Sequence, residues 1–253
     1  MTATNLEVLF TPADFDVLGK RDLSDTTCVV FDVLRATSSI VTALSQGARS
    51  VKPVLTIEEA LDMRAAHPEV LLAGERDGLR IEGNLSNNVT FDFGNSPREF
   101  LDRPLTGRTI VITTTNGTRA LRACAKAQRI LVSCFLNLDR TAGALANNPP
   151  AKLLVICSGT FEEAAYEDTL AAGALCDRLW KSYDGHASDS ALMSRKLWLQ
   201  ESSLLEQALR EARNGRRLLT RPALAEDVAF CARLNVFPLV AEMDSTRGIT
   251  LKS

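Results

Sequence analysis

One strand–loop–helix segment near the start of the chain constrains the fold more than any other stretch. The apolar run at residues 28–31 predicts a buried strand that ends at Asp32, and a helical periodicity begins beyond Ser38. Arg35 lies in the turn between them. An acid and a base beside a helix start suit a bound metal and a bound oxyanion, because the first backbone N–H groups are unpaired there. The alternative is a capped helix with a surface ion pair.

A comparable unit recurs about 80 residues later and predicts an internal duplication. There the strand is followed by a polar loop at 113–118 and a helix, and then by a second strand and helix. We interpret residues 28–66 and 108–147 as approximate repeats, which gives two related α/β halves. The predicted fold is a layered α/β/α arrangement with mixed or mostly parallel sheets. Residues 1–253 are expected to form a single unit.

The carboxyl-terminal third is predicted to be mainly helical. Its periodicity predicts helices over 194–213 and 227–234 and a last strand over 236–240. A run of arginines accompanies the first of these helices and continues beyond it: Arg210, Arg213, Arg216, Arg217 and Arg221. Such a run is either a solvated face that complements the helix dipole or a lid that contacts an anionic substrate.

The overall charge and the cysteines exclude several classes of function. A net charge of −2 argues against nucleic acid as the main partner, because phosphate-backbone binding requires a basic face. No apolar run approaches the roughly 20 residues of a membrane span, and we identify no signal peptide. The six cysteines lie far apart without a Cys-x-x-Cys pair, which favours a reducing compartment. We therefore expect a cytoplasmic protein.

Histidine is scarce, and this restricts the chemistry of any site. The chain has only two histidines, both in predicted loops, so a paired-histidine zinc site is not expected. Polar chemistry must then rest on carboxylates, arginines and hydroxyls. Carboxylates without histidine favour a hard cation such as Mg²⁺.

Several polar loops follow predicted strands and are expected to gather at one edge of the sheet. Three of these loops carry the acids Asp32, Glu75 and Asp168. Three convergent carboxylates repel one another unless a cation lies among them. The alternative is that each acid pairs with a nearby arginine, Arg35 or Arg76.

The loop at 113–119 combines hydroxyls, an amide, a glycine and an arginine at a helix start. A glycine lets backbone N–H groups approach an anion closely, so this loop is interpreted as an anion site. The alternative is an ordinary polar turn in which Thr118 caps the helix.

Together these motifs resemble the 2-phosphosulfolactate phosphatase family. The motifs occur in the family's order and cover roughly residues 28–180. They are Asp32-Val33-Leu34-Arg35-Ala36-Thr37, Gly74-Glu75-Arg76, Phe93-Gly94-Asn95-Ser96-Pro97, Thr113-Thr114-Thr115-Asn116-Gly117-Thr118-Arg119 and Glu167-Asp168-Thr169. The resemblance implies a Mg²⁺-dependent phosphatase that converts a 2-phospho-3-sulfolactate-like hydroxyacid phosphate to sulfolactate and phosphate. In some archaea this step serves coenzyme M synthesis.

On this basis we assign expected roles to the loop residues. Asp32, Glu75 and Asp168 are expected to hold or orient Mg²⁺. Catalysis is expected to rest on Asp32, Arg35, Glu167 and Asp168, with Glu167 or Asp168 positioning the water. The expected substrate contacts are Arg76, Asn95, Ser96, Thr115, Asn116, Gly117, Thr118, Arg119, Ser158 and Gly159. Direct attack by water and an aspartyl-phosphate on Asp32 remain alternatives.

The chain departs from the family pattern at two places, and these leave the substrate open. Residues 79–91 are longer than expected, and Asn214 stands where a histidine is expected. The alternatives are a phosphatase for another 2-hydroxycarboxylic acid phosphate, or a non-catalytic binder of a sulfonated or phosphorylated acid. The oligomeric state is also open, with a homodimer as one alternative.

Overall fold

The computed structural model describes residues 5–244, 246 and 248–252, which form one mixed, mostly parallel sheet with helices on both sides. The described strands are β1 (Asn5–Leu9), β2 (Thr26–Phe31), β3 (Ser50–Pro53), β4 (Leu71–Arg76), β5 (Leu79–Arg80), β6 (Thr109–Thr113), β7 (Arg129–Ser133), β8 (Lys152–Cys157), β9 (Val240–Asp244) and β10 (Gly248–Lys252). The described helices are α1 (Ala13–Leu18), α2 (Ala36–Ser45), α3 (Ile57–Ala66), α4 (Gly117–Ala123), α5 (Leu138–Asn147), α6 (Tyr166–Tyr183), α7 (Asp189–Glu201), α8 (Leu205–Glu211), α9 (Arg213–Leu219) and α10 (Ala225–Cys231). The predicted α/β class is therefore confirmed.

The two similar β-α-β-α units interlock instead of lying side by side. The sheet order is β1-β8-β2-β7-β9-β10-β3-β6-β4-β5. The first strand of the first unit, β2, pairs in parallel with β7, which is the second strand of the other unit. Conversely, β3 pairs in parallel with β6. Each half of the sheet thus takes one strand from each unit.

A carboxyl-terminal hairpin joins the two halves and reverses their direction. β7 is antiparallel to β9, β9 to β10, and β10 to β3, so the strands around β2 run opposite to those around β6. β2 and β6 are five positions apart, which in a flat sheet would separate them by about 24 Å. A Cβ atom on Gly117, just beyond β6, would nevertheless lie 2.7 Å from Oδ2 of Asp32. The sheet therefore curls until these two strand ends meet.

Two predicted elements near the carboxyl end are wrong. The last strand begins at Val240 and not at residue 236, since Pro238 has no N–H to offer a ladder. The single helix predicted over 194–213 is divided into the end of α7, a 3-10 turn and α8, and α9 then begins at Arg213. At Gly215 a Cβ atom would lie 1.8 Å from the carbonyl oxygen of Leu209, so only glycine allows α9 to pack this closely on α8.

The helix α2 lies in the centre of the molecule and positions the site. All six residues of β2 are buried, and so are nine of the ten residues of α2. Its hydroxyls are satisfied by carbonyls: Ser38 donates to Val33 and Thr42 donates to Ser38, at 2.8 and 2.7 Å. Such a helix tolerates burial of polar side chains because each has a partner. The residue that ends β2 is thereby fixed on a rigid support.

Residues 79–91, which were expected to include an insertion, form a packed unit. Ile81 and Phe91 are buried in a second, smaller apolar core with Val111 of β6. The Ser86 hydroxyl contacts the carbonyls of Glu82 and Val89, which closes the turn between them. Within the described residues, no helix has the length and apolar character needed to cross a lipid bilayer.

Candidate active site

Asp32 ends β2 and is held by the chain that follows it. Its Oδ1 accepts the Ala36 N–H at 3.0 Å, and its backbone N–H donates to the Thr37 hydroxyl at 3.1 Å. The side chain is 8% exposed, and burial raises the pKa of Asp32 to about 6, with a further contribution from the charge of Glu75. A carboxylate whose pKa is shifted toward neutral pH is a candidate for a catalytic role.

Gly117 lies against Asp32 from the opposite half of the sheet. A Cβ atom there would come within 2.6 Å of Ala36 Cβ and 2.7 Å of Asp32 Oδ2. Only glycine therefore allows the start of α4 to approach Asp32 and Ala36 this closely. Its neighbour Asn116 also lines the cleft and has a buried Oδ1 without a hydrogen-bond partner among the described residues.

Glu75 is fixed at the end of β4 by three donors. Its Oε1 accepts the N–H and the hydroxyl of Thr115, both at 2.8 Å, and its Oε2 accepts the Gly78 N–H at 2.6 Å. Glu75 thus ties the loop after β6 to the turn after β4. The charge of Glu75 raises the pKa of Asp32, although both of its own oxygens already accept hydrogen bonds.

Two further acids lie at the start of α6, behind Asp32. The Asp168 carboxylate accepts the N–H of Val33 at 2.8 Å and that of Gly159 at 3.2 Å, so it joins the ends of β2 and β8. Burial raises the pKa of Asp168 well above its usual range, and the charges of Glu167 and Asp32 add to this. Asp168 acts here as a brace for the loops.

Glu167 has one oxygen occupied and one open. The Asn214 amide donates to Oε1 at 2.7 Å, while the buried Oε2 has no hydrogen-bond partner among the described residues. Burial raises the pKa of Glu167 to about 7, the Asn214 hydrogen bond opposes this, and the charge of Asp32 adds to it. A buried acid with such a pKa can exchange protons near neutral pH.

Several of these groups line one narrow cleft that is open to solvent. Six of the residues assigned from the sequence line it: Asp32, Arg35, Glu75, Asn95, Thr115 and Asn116. Gly117 contacts Asp32, and Glu167 and Asp168 lie directly behind. The expected gathering at one sheet edge needs correction, because strand ends from two opposed halves form this cleft.

Arg35 lines the cleft, but both arms of its guanidinium are engaged. It donates to Oδ2 of Asp227 and to the carbonyl of Gly78, both at 2.8 Å. Asp227 is fully buried and also accepts the Ser96 hydroxyl at 2.7 Å. Arg35, which was expected to take part in catalysis, and Ser96, which was expected to bind substrate, therefore hold α10 against the site.

Arg76 and Arg119 do not line the cleft, although Arg76 lines an adjoining pocket that shares Arg35 and Arg221 with it. Arg76 follows Glu75 in β4, so its side chain projects to the opposite face, where it donates to the Thr113 hydroxyl at 3.1 Å. Arg119 lies in the first turn of α4, half exposed, and pairs with Glu162 at 2.9 Å. Neither is among the residues that line the cleft, and their assignment as substrate contacts needs correction.

Three other assigned residues support the loops. The Thr118 hydroxyl donates to the Thr114 carbonyl at 2.8 Å. The Ser158 N–H donates to the Phe31 carbonyl at 2.8 Å, although its buried hydroxyl has no partner among the described residues. Gly159 adopts a φ of +70°, and a Cβ there would meet Pro12 at 2.6 Å. Their side chains lie outside the cleft lining.

The sequence comparisons agree with this geometry. The profile described as 2-phosphosulpholactate phosphatase matches residues 15–246. A protein from Pseudothermotoga lettingae named probable 2-phosphosulfolactate phosphatase is 38% identical over 214 residues, which cover 84% of this chain and 87% of that protein. The chain belongs to the 2-phosphosulfolactate phosphatase family. Membership makes it a phosphoric monoester hydrolase.

Two further relatives carry the same name and extend over most of this chain. The protein from Caldanaerobacter subterraneus subsp. tengcongensis is 34% identical over 231 residues, which cover 90% of this chain and 92% of that protein. The protein from Clostridium perfringens (strain SM101 / Type A) is 34% identical over 242 residues and covers 94% of each.

In this phosphatase, several residues that were not assigned to the site also line the cleft. Thr160 and Phe161 follow the assigned Ser158-Gly159 pair, and Asn214 stands where a histidine was expected. Arg217 and Arg221 also line the cleft. The interpretation of the arginine run as a solvated face is therefore wrong for these two residues. In the sequence, the positive charge of this run was the only indication that these two arginines face the cleft.

The expected ligand set for Mg²⁺ also needs correction. Within the part of the chain that the structure describes, no three His, Cys, Asp or Glu side chains are grouped closely enough to hold one ion. Asp168 and Glu75 are occupied by N–H and hydroxyl donors, as given above. Mg²⁺ nevertheless commonly takes only one or two protein carboxylates and completes its shell with water and phosphate.

The oxygen atoms that are left over do fit such an ion. Four of the five buried side-chain atoms without a partner among the described residues are oxygens of Asn95, Asn116, Ser158 and Glu167. Buried polar atoms without partners are rare in proteins and call for an explanation. Hard oxygen donors beside the mutually repelling Asp32 and Glu167 suit a hard cation.

Proposed function

We propose that this protein hydrolyses 2-phospho-3-sulfolactate, or a closely related 2-hydroxyacid phosphate, to the hydroxyacid and inorganic phosphate in a Mg²⁺-dependent reaction. The observation that carries the proposal is the cleft at the meeting point of the two sheet halves, where the carboxylate of Asp32 lies with the polar side chains of Asn95 and Asn116. The names of the relatives and the presence of arginines in the same cleft support the choice of a small anionic ester.

Asp32 is the proposed carboxylate ligand of Mg²⁺, assisted by the amide oxygens of Asn95 and Asn116, which line the same cleft. Glu75 and Asp168 are proposed to orient the surrounding loops. When bound, the ion supplies positive charge that stabilises the phosphoryl oxygens of the ester. These roles differ from a trio of direct acidic ligands, because two of the three acids already have their oxygens engaged.

Glu167 is the proposed proton-transfer residue. Hydrolysis forms a bond from a water oxygen to phosphorus and breaks the ester P–O bond. The leaving oxygen takes up a proton from the acid, and the attacking water releases one, which restores the acid. An acid with a pKa of about 7 can supply that proton near neutral pH. The Asn214 amide fixes Oε1 and leaves Oε2 as the working atom.

The fixed, buried positions of these groups should increase the rate of ester hydrolysis as well as stabilise the fold. Uncatalysed hydrolysis of phosphate monoesters is so slow that enzymes accelerate it by up to about 10²¹-fold. Charges and dipoles that are fixed before the reaction contribute most to such accelerations, since they need no reorganisation. The hydrogen bonds to Asp32, Glu75 and Asp168 are of this kind.

A panel of phosphate esters tests the proposal. Release of free phosphate is measured with 2-phospho-3-sulfolactate, 2-phospholactate, 2-phosphoglycerate and p-nitrophenyl phosphate, each with Mg²⁺ and with EDTA. We expect the highest kcat/KM for the sulfonated ester and loss of activity in EDTA. A protein that binds these esters but releases no phosphate would be a binder and not an enzyme, and the proposal would then be wrong.

A further inference from the structure

Three arginine side chains line the cleft in the described part of the chain, and they differ in how their charge is balanced. Arg35 is 3% exposed and is paired at 2.8 Å with Asp227, which is fully buried. This charge is neutralised inside the protein and is not available to a ligand without exposing a buried acid. Arg217 and Arg221 come from α9 and the turn after it, and neither is paired in this way.

The partner of Arg217 holds it only loosely. Its Nη2 lies 3.3 Å from Oδ1 of Asp77, and the two side chains are 38% and 86% exposed. Ion pairs this exposed contribute little, because water screens them and both side chains lose freedom. A ligand anion that enters the cleft can therefore replace Asp77 at Arg217 at small cost.

Arg221 is fixed in position by a neutral partner. Its Nη1 donates to the backbone carbonyl of Asp77 at 2.6 Å. A Cβ on Gly78 would lie 2.9 Å from the same nitrogen, so the guanidinium packs directly on bare backbone. The carbonyl orients the group without neutralising its charge, and the fork retains donors for an incoming oxyanion.

We propose that Arg217 and Arg221 bind the sulfonate of the substrate and thereby determine specificity for sulfonated hydroxyacid phosphates. This inference rests on the proposed function. In the proposed function the reacting phosphate lies beside Asp32, and the two arginines line the same cleft from α9 and the turn after it. A sulfonate is ionised at all working pH values and presents oxygens that match the planar fork of arginine.

The experiment compares two esters that differ only in this group. 2-Phospholactate has the phosphate and carboxylate of 2-phospho-3-sulfolactate but a methyl group in place of the sulfomethyl group. We expect Arg217→Ala and Arg221→Ala each to lower kcat/KM for the sulfonated ester roughly 10- to 100-fold, as for a lost hydrogen bond between charged groups. The value for 2-phospholactate should change less than about 3-fold, since no charged contact is lost there.

Arg216→Ala is the matched control. Arg216 belongs to the same helix, is exposed, and donates to the Glu211 carbonyl away from the cleft. It should leave kcat/KM for both esters unchanged. An equal loss on both esters in Arg217→Ala, or an equal loss in the control, would overturn the assignment of the sulfonate to these arginines.

Calorimetric binding of 3-sulfolactate separates this inference from the proposed function. Absence of phosphate release from every ester would reject the phosphatase activity but would leave this measurement intact. The dissociation constant should rise roughly 10- to 100-fold in Arg217→Ala and Arg221→Ala. No change in that constant, or no binding to the unmodified protein, would overturn the inference.

Discussion

The side-chain amide of Asn214 donates a hydrogen bond of 2.7 Å to Oε1 of Glu167. The same nitrogen donates at 2.7 Å to the hydroxyl of Thr160, so both amide hydrogens take part in hydrogen bonds. This geometry favours the ionised form of Glu167 and opposes the effect of burial on its pKa. Asn214 therefore sets the pH at which Glu167 exchanges its proton.

Asn214→Leu should raise the pKa of Glu167 by about one to two units, because a hydrogen bond to a charged group is worth roughly 1.5–3 kcal/mol. A proton donor works while protonated, so the limb where activity falls with rising pH should move to higher pH. The measurement is the pH profile of kcat/KM. Thr160→Val, which keeps the bond between Asn214 and Glu167, should move this limb less. An unmoved limb in Asn214→Leu would remove Glu167 from proton transfer.

The metal-free protein should lose stability as the pH rises from about 4 to about 7. The ordinary pKa values of Asp32 and Glu167 are 3.8 and 4.5, whereas the folded values are about 6 and about 7. The folded state thus binds more protons in this window, and the free energy of unfolding falls as they are released. Asp32→Asn should therefore gain stability relative to the unmodified protein as the pH rises. Urea unfolding in EDTA measures the free energy of unfolding of both proteins at each pH. Parallel curves of this free energy against pH would contradict the prediction.

Mg²⁺ should stabilise the folded protein more at pH 8 than at pH 5, because a cation binds the ionised carboxylates. The shift in Tm on addition of Mg²⁺ measures this effect. Asp32→Asn should abolish most of the shift, while Asp62→Asn, on α3 away from the cleft, should retain it. An equal shift in both variants would exclude Asp32 as a ligand.

Arg35→Ala should act mainly on stability. It removes the nearer of the two arginines that pair with buried Asp227. Breaking a buried pair typically costs about 3–5 kcal/mol, and Arg98, 3.7 Å from Oδ1 of Asp227, should offset part of this cost. Urea unfolding measures this loss. Exposed pairs behave differently, so Arg210→Ala, which breaks the surface pair with Glu206, should cost no more than about 1 kcal/mol. If Arg35→Ala has normal stability but a reduced kcat/KM, Arg35 acts on the substrate and not mainly on the fold.

Gly117→Ala should lower activity by at least about 100-fold, as a displacement near 1 Å at a reacting group can. The added methyl group would lie 2.7 Å from Oδ2 of Asp32 and 2.6 Å from Ala36 Cβ, so it would displace the Asp32 carboxylate. Gly143→Ala is the control, since a Cβ there meets nothing within 4 Å and the helix α5 should gain about 0.5–1 kcal/mol. Full activity in Gly117→Ala would place the phosphoryl group elsewhere.

Local patterns in the sequence predicted the strand ends well. The apolar run before Asp32 and the polar loop before Gly117 each form the predicted strand and turn, because burial and turn chemistry are encoded within a few residues. Sequence reasoning failed where an outcome depends on which side a residue faces. Arg76 follows Glu75 by one position and, by strand alternation, leaves the cleft.

Long-range relationships were beyond the reach of such patterns. The pairing of Arg35 with Asp227 joins residues 192 positions apart, and no local signal marks the partner of a buried arginine. The curl of the sheet, which brings Asp32 to Gly117, depends on the hairpin at the end of the chain. Arg217 and Arg221 were visible only as part of a basic run, since periodicity does not show what such a run faces.

The most direct test is phosphate release from 2-phospho-3-sulfolactate by the unmodified protein and by Asp32→Asn, at pH 7 with Mg²⁺. Equal far-ultraviolet circular dichroism spectra establish that both are folded. We predict Mg²⁺-dependent turnover by the unmodified protein and a loss of at least about 1,000-fold in the variant, the scale of a removed catalytic group. Equal rates for the two proteins would contradict the central claim that Asp32 is the centre of the active site.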